Sequence, residues 1–399
     1  MQKKNIYIVR EKIIYTLLIL LVYMIGKNLP LYQVDFSAHM RDSIDAEALL
    51  MQTISGDIHQ CSIFALGISP YMISSILVNL LTAFRSADAK SKTSQKSMNH
   101  ITLLFMVVIA LLQAKMRVGE LQFLVEGYEL VLARFIAVLE LVTGAMLILW
   151  LCGRNKQYGI GGQSALIFVN VIDGIRVTIK TQDMTCLVLP ITIAMVVMMV
   201  MVFMENSEVR IPVQRISIHN IYADKNYLAV KLNPIGVMPA MFSTAFFMIP
   251  QIILSVIGWF VPENPTILWC QENMSLNKPL GVAVYAIILY TLTIGFSRLF
   301  LHPDDLTEQY LKSGDSLVGV HAGKDTKKYL SRVITNTSLF SAFVMSVCLV
   351  GPMLLQLTGM IDSSFTSLPS SIMILTGVWC NLYSEIIAVK GFESYKSFI

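Results

Sequence analysis

Ten apolar segments divide the chain, at roughly 13–29, 63–84, 101–118, 130–151, 162–179, 184–204, 237–260, 280–300, 334–356 and 369–389. Most reach the ~20 residues that carry a helix across the hydrocarbon core of a bilayer. In lipid every backbone amide must find its partner inside the protein, so such a segment folds as a helix or joins a closed barrel. The length of these runs selects the helix. The expected fold class is an all-α polytopic membrane protein with ten transmembrane helices. Composition agrees, with 55% hydrophobic and 14% charged residues where soluble domains carry about 25% charge.

Charge sets the orientation. Segments 1–12, 85–100, 152–161, 205–236, 298–333 and 390–399 hold 22 of the 30 Lys and Arg residues, and the opposite side holds 7. The remaining one, Arg134, sits inside a span. Positive residues favour the cytoplasmic side, so both termini are expected in the cytosol of a cell in whose cytoplasmic membrane the chain resides. The first span follows "MQKKNIYIVREK" without a small-residue cleavage site and reads as a retained helix. Ten spans split into five and five at "KTQDM" (180–184). An odd number per half inverts one half relative to the other. The expected halves are 1–180 and 181–399. Span counting alone carries this step; the halves show no convincing sequence repeat.

The second span is irregular. "SIFALGISPYM" (62–72) places Gly67 and Pro70 in what reads as the first turns of an apolar helix. Proline removes a backbone donor, and glycine costs about 1 kcal/mol relative to alanine.

Three segments outside the membrane are long enough to matter. Residues 30–62 contain "DAEALLMQTISGDIHQ", too short and polar to span, and fit either a re-entrant or surface helix or an ordinary external loop. In 205–236, the alternation of "VRIPVQRISI" and "YLAVKL" predicts two strands of a hairpin. In 298–333, Pro303, Asp304 and Asp305 open a short helix that ends near Gly314. The last two segments suit a soluble partner or pack on themselves.

Chemistry is sparse. The six cysteines are isolated, so neither a metal site nor a disulfide framework is expected. "GVHAGKD" (319–325) fails the spacing of a phosphate loop. No cofactor is implied, and the chain is not expected to be an enzyme. Ionisable residues inside spans mark transport pathways. Here they are Arg134, Asp173, expected near the end of its span, and Glu140, the only deep carboxylate. A passive path driven by a partner fits.

Several stretches resemble one family in order and position. "SIFALGISPYMISSILVNLLT" (62–82) resembles the second helix of SecY, the protein-conducting channel, and "KLNPIGVMPAMFSTAFFMIPQ" (231–251) the start of its seventh. "GIGGQSALIF" (159–168), "RIPVQ" (210–214), "YLSRV" (329–333) and "SSIMILTGV" (370–378) are similar to the start of the fifth helix, the sixth-to-seventh loop, the start of the ninth and the tenth. The resemblance implies a ten-span clamshell of two inverted five-helix halves with an hourglass pore. By position it implies a pore ring of Ile68, Met72, Ile167, Val171, Met241 and Ile374. A narrow apolar ring can dewet and block ions, and flexible Met side chains adapt to a passing chain. It further implies a plug at 47–60 with Leu49, Leu50, Ile54, Gly56 and Asp57, and a lateral gate that includes Ser74, Ser75 and Asn79. Gly67 and Pro70 then mark the passage from plug to second helix. The lipid bilayer lies beyond the gate.

Departures from the family narrow the resemblance. His321 and Ala322 stand where it has Arg-Pro, and the tip "RISIHNIYADKN" (215–226) is weakly basic. Ribosomal RNA favours basic loops, so no nucleic-acid partner is expected. The accessory SecY of Gram-positive bacteria fits these changes. That resemblance implies an accessory SecA-type motor ATPase docking near Arg210, Arg215, His321 and Lys324, together with SecE/SecG-like small membrane subunits and accessory Sec transport proteins. The implied substrates are unfolded preproteins, serine-rich glycosylated adhesins. The competing readings are a housekeeping SecY and an inverted-repeat small-solute transporter.

Overall fold

The computed structural model describes residues 2–34, 61–83, 95–180, 188–214, 226–260, 264–361 and 365–395. Among them, ten helices run for 15 residues or more: α1 (Gln2–Lys27), α2 (Ser69–Ala83), α3 (Gln95–Glu120), α4 (Tyr128–Tyr158), α5 (Gln163–Lys180), α6 (Val188–Asn206), α7 (Met238–Phe260), α9 (Pro279–Leu301), α11 (Lys324–Leu357) and α12 (Ser367–Tyr395). Each falls on one predicted segment, which is consistent with ten spans. By length and composition α3, α4, α6, α9, α11 and α12 can cross a membrane. Two short helices, α8 (Pro265–Asn273) and α10 (Pro303–Ser313), and three strands complete the described elements.

Helix ends depart from hydropathy where backbone chemistry intervenes. The second span was expected from residue 63, but 63–68 is a run of turns and α2 begins at Ser69. Gly67 takes a φ of 55°, a left-handed conformation that halts a helix and favours glycine. Pro70 lies in the first turn, where its missing N–H would have had no helical partner anyway. α11 overruns its apolar stretch in the other direction, starting at Lys324 instead of 334.

The chain forms two compact units. The first comprises Met1–Thr185, Ser363–Ser371 and Val378–Ile399; the second comprises Cys186–Asp362 and Ile372–Gly377.

In the first unit, rows four residues apart build the core. Met106, Ala110, Ala114 and Val118 on α3 meet Ala137, Leu141 and Ala145 on α4, with Leu31, Cys61, Ala65 and Leu66 around them. Small residues let helix backbones approach closely without water to drive association. Between the end of α1 and α5 lies a charged pair. Lys27 Nζ is 2.8 Å from Asp173 Oδ2 and 3.2 Å from Asn170 Oδ1. The Tyr23 hydroxyl donates to the same Asn170 oxygen at 2.8 Å. Asp173, expected near a span end, sits seven residues inside α5. Lys27, counted with the external loops, is only 6% exposed. Each charge is tolerated because the other neutralises it.

In the second unit, α7, α9 and α11 pack together. The Ser243 hydroxyl on α7 donates to the Tyr285 hydroxyl on α9 at 2.9 Å. Beyond the helices stands a three-stranded sheet in the order β2 (Tyr227–Lys231), β1 (Glu208–Gln214), β3 (Ser316–Leu317). β1 runs antiparallel to β2, from Glu208 opposite Lys231 to Pro212 opposite Tyr227, and antiparallel to β3 at Val213 opposite Leu317. The alternation seen in the sequence puts Ile211, Val213 and Val230 on the buried face, against Leu330 of α11 and Leu306 and Tyr310 of α10. α10 starts at Pro303 and stops at Gly314, φ 75°. At the base of the sheet, buried Asn233 donates to Glu205 Oε1 and accepts from the Ser341 hydroxyl, both at 2.9 Å. This amide joins the end of α6, the connection from β2 to α7, and the middle of α11.

Two outcomes follow. Lys27→Met leaves the Asp173 carboxylate without its cation in lipid. Removing one partner of a buried pair costs about 3–5 kcal/mol, so the melting temperature in detergent falls, and adding Asp173→Asn recovers most of the loss. Asn233→Ala strips the partner from a buried carboxylate and a buried hydroxyl. It costs about 1–3 kcal/mol, measured the same way, with Asn233→Asp no rescue because it adds a second carboxyl beside Glu205.

Candidate functional site

The irregular start of α2 has a twin. "LGISPYM" (66–72) and "IGVMPAM" (235–241) share glycine, proline and methionine at identical spacing. Gly67 and Gly236 take φ values of 55° and 69°. Their amides donate backwards, Gly67 to the Phe64 carbonyl at 2.9 Å and Gly236 to the Asn233 carbonyl at 3.4 Å. A helix then opens with proline in second place, Pro70 in α2 and Pro239 in α7. The Met72 amide donates to the Ile68 carbonyl at 3.1 Å, and the Met241 amide to the Val237 carbonyl at 3.2 Å. Residues four apart share a helix face, so Met72 lies over Ile68, and Met241 over Val237. The repeat is confined to these seven residues, too short to show as a repeat of whole halves.

All six residues of the expected ring are buried. Ile68, Met72, Ile167 and Val171 belong to the first unit, Met241 and Ile374 to the second. Ile167 and Val171 are one turn apart on α5, whose glycine-rich start is clamped by a buried amide. Asn155 Nδ2 donates to the Ile160 and Gly162 carbonyls, each at 2.9 Å, and its Oδ1 accepts from the Thr16 hydroxyl at 2.9 Å. The Gly161 amide donates to Glu385 Oε2 of α12 at 3.0 Å. These bonds set where α5 begins and so the height of Ile167 along it.

The expected gate residues divide. Buried Ser74 bonds the Tyr71 carbonyl of its own helix at 2.8 Å, so its hydroxyl turns inward and offers little to a neighbour. Ser75 is half-buried. The side chain of Asn79 lies outside the described residues, as do Arg215 and the plug residues Leu49, Leu50, Ile54, Gly56 and Asp57. One polar contact on α2 was not foreseen. Gln113 on α3 donates to the Ser69 hydroxyl at 3.2 Å.

On the sheet, Arg210 is exposed, with its guanidinium 4.7 Å above the Tyr227 ring and 2.8 Å from Glu208. The hydrogen bond that Arg210 donates to Glu208 raises its pKa further. His321 and Lys324 are exposed, and Lys327 and Lys328 extend the basic surface of the first turns of α11. Lys327 pairs with Asp304 at 2.5 Å. Glu140, the deep carboxylate, accepts from the Tyr32 amide at 3.0 Å and so caps the turn after α1. Among the described residues no group of three His, Cys, Asp or Glu could hold a metal.

Comparison with known proteins identifies the fold and the family. The family model described as SecY matches residues 62–383. A relative from Leuconostoc gelidum subsp. gasicomitatum is 28% identical, covering 98% of this chain and 97% of its own. It is named accessory Sec system protein translocase subunit SecY2. Relatives with the same name from Streptococcus agalactiae and Streptococcus sanguinis are 29% and 27% identical over 99% and 98% of the chain. Among solved structures, one described as a protein conducting channel aligns with a TM-score of 0.67, covering 98% of this chain and 94% of the other at 15% identity. Sec61 in a canine ribosome-channel complex aligns with 0.61. With the family model spanning four-fifths of its length, this chain is a member of the SecY family and a multi-pass membrane protein.

Proposed function

We propose that the chain is the pore-forming subunit of an accessory Sec translocase in the cytoplasmic membrane, with both termini in the cytosol. Unfolded preproteins, serine-rich glycosylated adhesins in this reading, pass through it while a SecA-type motor hydrolyses ATP. The observation that carries the proposal is the twinned Gly-x-x-Pro-x-Met start of α2 and α7 in a member of a channel family. In two inverted halves, 1–180 and 181–399, the same device sets Met72 and Met241 at the same distance from the start of their own helices. Ile68, Ile167, Val171 and Ile374 then complete the ring that closes the resting path, and 47–60 plugs it from outside. The names of the curated relatives support the accessory type.

The sheet with α10 and α11 is the proposed dock for the motor. Lysines near a helix N-terminus oppose the macrodipole at a cost of about 0.3–1 kcal/mol each. Lys324, Lys327 and Lys328 nevertheless crowd the first turns of α11 and stay exposed. An acidic surface on the motor relieves that repulsion, and Arg210, Arg215 and His321 extend the same dock. SecE/SecG-like subunits and accessory Sec transport proteins complete the assembly. The carboxylate that the transporter reading needs, Glu140, accepts from the Tyr32 amide.

The decisive test is a stalled substrate. Single cysteines at Ile68, Met241 and Ile374 in a Cys-free background crosslink to a chain jammed in transit. Crosslinks confined to lipid-facing controls such as Val131 and Phe343 overturn the ring. For the dock, Lys324→Glu and Lys328→Glu each weaken motor binding to membranes by up to about fivefold, the range of one exposed ion pair. Unchanged binding removes α11 from the dock. Expression fails to rescue a strain depleted of its housekeeping SecY; rescue would favour the general channel.

A further inference from the structure

α8 follows α7 and folds back along it. The Gln271 side chain on α8 donates to the Leu254 carbonyl of α7 at 2.8 Å, and the Gln251 side chain on α7 donates to the Met274 carbonyl after α8 at 2.9 Å. A Cβ at Gly258 would overlap the Gln271 amide, so the glycine leaves the space that the tether occupies. Further along, the Gln356 side chain at the end of α11 donates to Asn277 Oδ1 at 2.9 Å. α8 itself is well formed. Pro265 opens it, and the Asn264 side chain caps it by accepting from the Thr266 amide at 3.1 Å.

These bonds give α8 a depth. α7 ends at Phe260, so Leu254 and Gln251 lie about 9 and 14 Å back along it at 1.5 Å per residue. α8 therefore runs beside the outer third of a helix long enough to span. Its inner face carries Gln271. Its outer face exposes Leu268 (46%) and Trp269 (56%), continuous in sequence and depth with Ile253 (51%) and Ile257 (40%) of α7. A soluble loop has no reason to present a tryptophan and a leucine side by side at that height. Tryptophan concentrates at membrane interfaces because its ring is apolar and its N–H is not.

We propose that α8 is an interfacial anchor: Leu268 and Trp269 seat in the headgroup and glycerol zone of the leaflet opposite the β-sheet, and the paired glutamines fasten that seat to α7. The occupant is phospholipid, because Ile253 and Ile257, on either side of the tethered Leu254 in a helix of a membrane protein, are exposed as well. α7 also carries Met241 near its other end, so the anchor holds the helix at a set height in the membrane.

The test needs no translocation assay and stands apart from the proposed function. Of the four tryptophans, Trp150, Trp259 and Trp379 are changed to Phe, leaving Trp269. The full-length protein is reconstituted in phosphatidylglycerol–phosphatidylcholine vesicles. Phosphatidylcholine with a spin label high on its chain (5-doxyl) then quenches most of the emission, a mid-chain label (12-doxyl) quenches less, and aqueous iodide quenches little. Adding Gln271→Leu, which removes the tether and keeps the volume, restores iodide quenching. Strong iodide quenching of the tethered protein, protection from both iodide and lipid labels, or stronger quenching by 12-doxyl lipid each overturns the proposal. They indicate a watery face, a protein-covered face and a core-buried face respectively.

Discussion

The backbone amide without water is the constraint on which this structure depends. In hydrocarbon, an unmatched N–H or C=O costs several kcal/mol, so every irregular stretch near the apolar layer must be answered by the protein itself. The turns at 61–68 are largely buried; the Ala65 and Gly67 amides bond backwards along the stretch, and the Ile63 amide bonds the Leu29 carbonyl after α1. The glycine-rich turn before α5 is answered by one asparagine that meets two carbonyls. The connection from β2 to α7 is answered by Asn233, with Glu205 and Ser341 as its partners. Non-helical backbone appears where these side chains can serve it, and these are also the places where helices bearing the proposed ring begin.

Charge follows the same logic. Lys27 and Asp173 pair between α1 and α5, each supplying what the other needs, with Tyr23 and Asn170 completing the set. Glu140 holds a turn. Neither group stands open to a pathway, as the ionisable residue of a coupled transporter would. Exposed charge gathers instead on α11 and the sheet, part of it paired, where solvent screens it and a partner can reach it.

Much of this was legible beforehand, for identifiable reasons. Long apolar runs announce helices because lipid leaves no alternative, and the alternation in β1 and β2 announces one buried face. The hairpin, the short helix from Pro303 and its stop at Gly314 could all be read from local chemistry. β3 could not, since two residues carry no period. The start of α2 was misjudged because hydropathy is blind to φ, and only the glycine and proline together signal the turn. The Lys27–Asp173 pair was hidden because its members lie 146 positions apart and each, taken alone, looked like a span end. The tether of α8 was equally invisible: glutamine at 251 and 271 has no pattern until two helices lie side by side.

The twinned starts of α2 and α7 make the ring a matter of counting. From the positive-φ glycine to the methionine is five residues in both cases, and the first hydrogen-bonded turn leaves no slack between them. A changed side chain there alters the surface of the proposed ring but leaves its address intact. An inserted or deleted residue is another matter, since each one rotates everything after it by about 100° and shifts it by about 1.5 Å. Evolution can therefore retune this opening freely by substitution, while its length between glycine and methionine is closed to change.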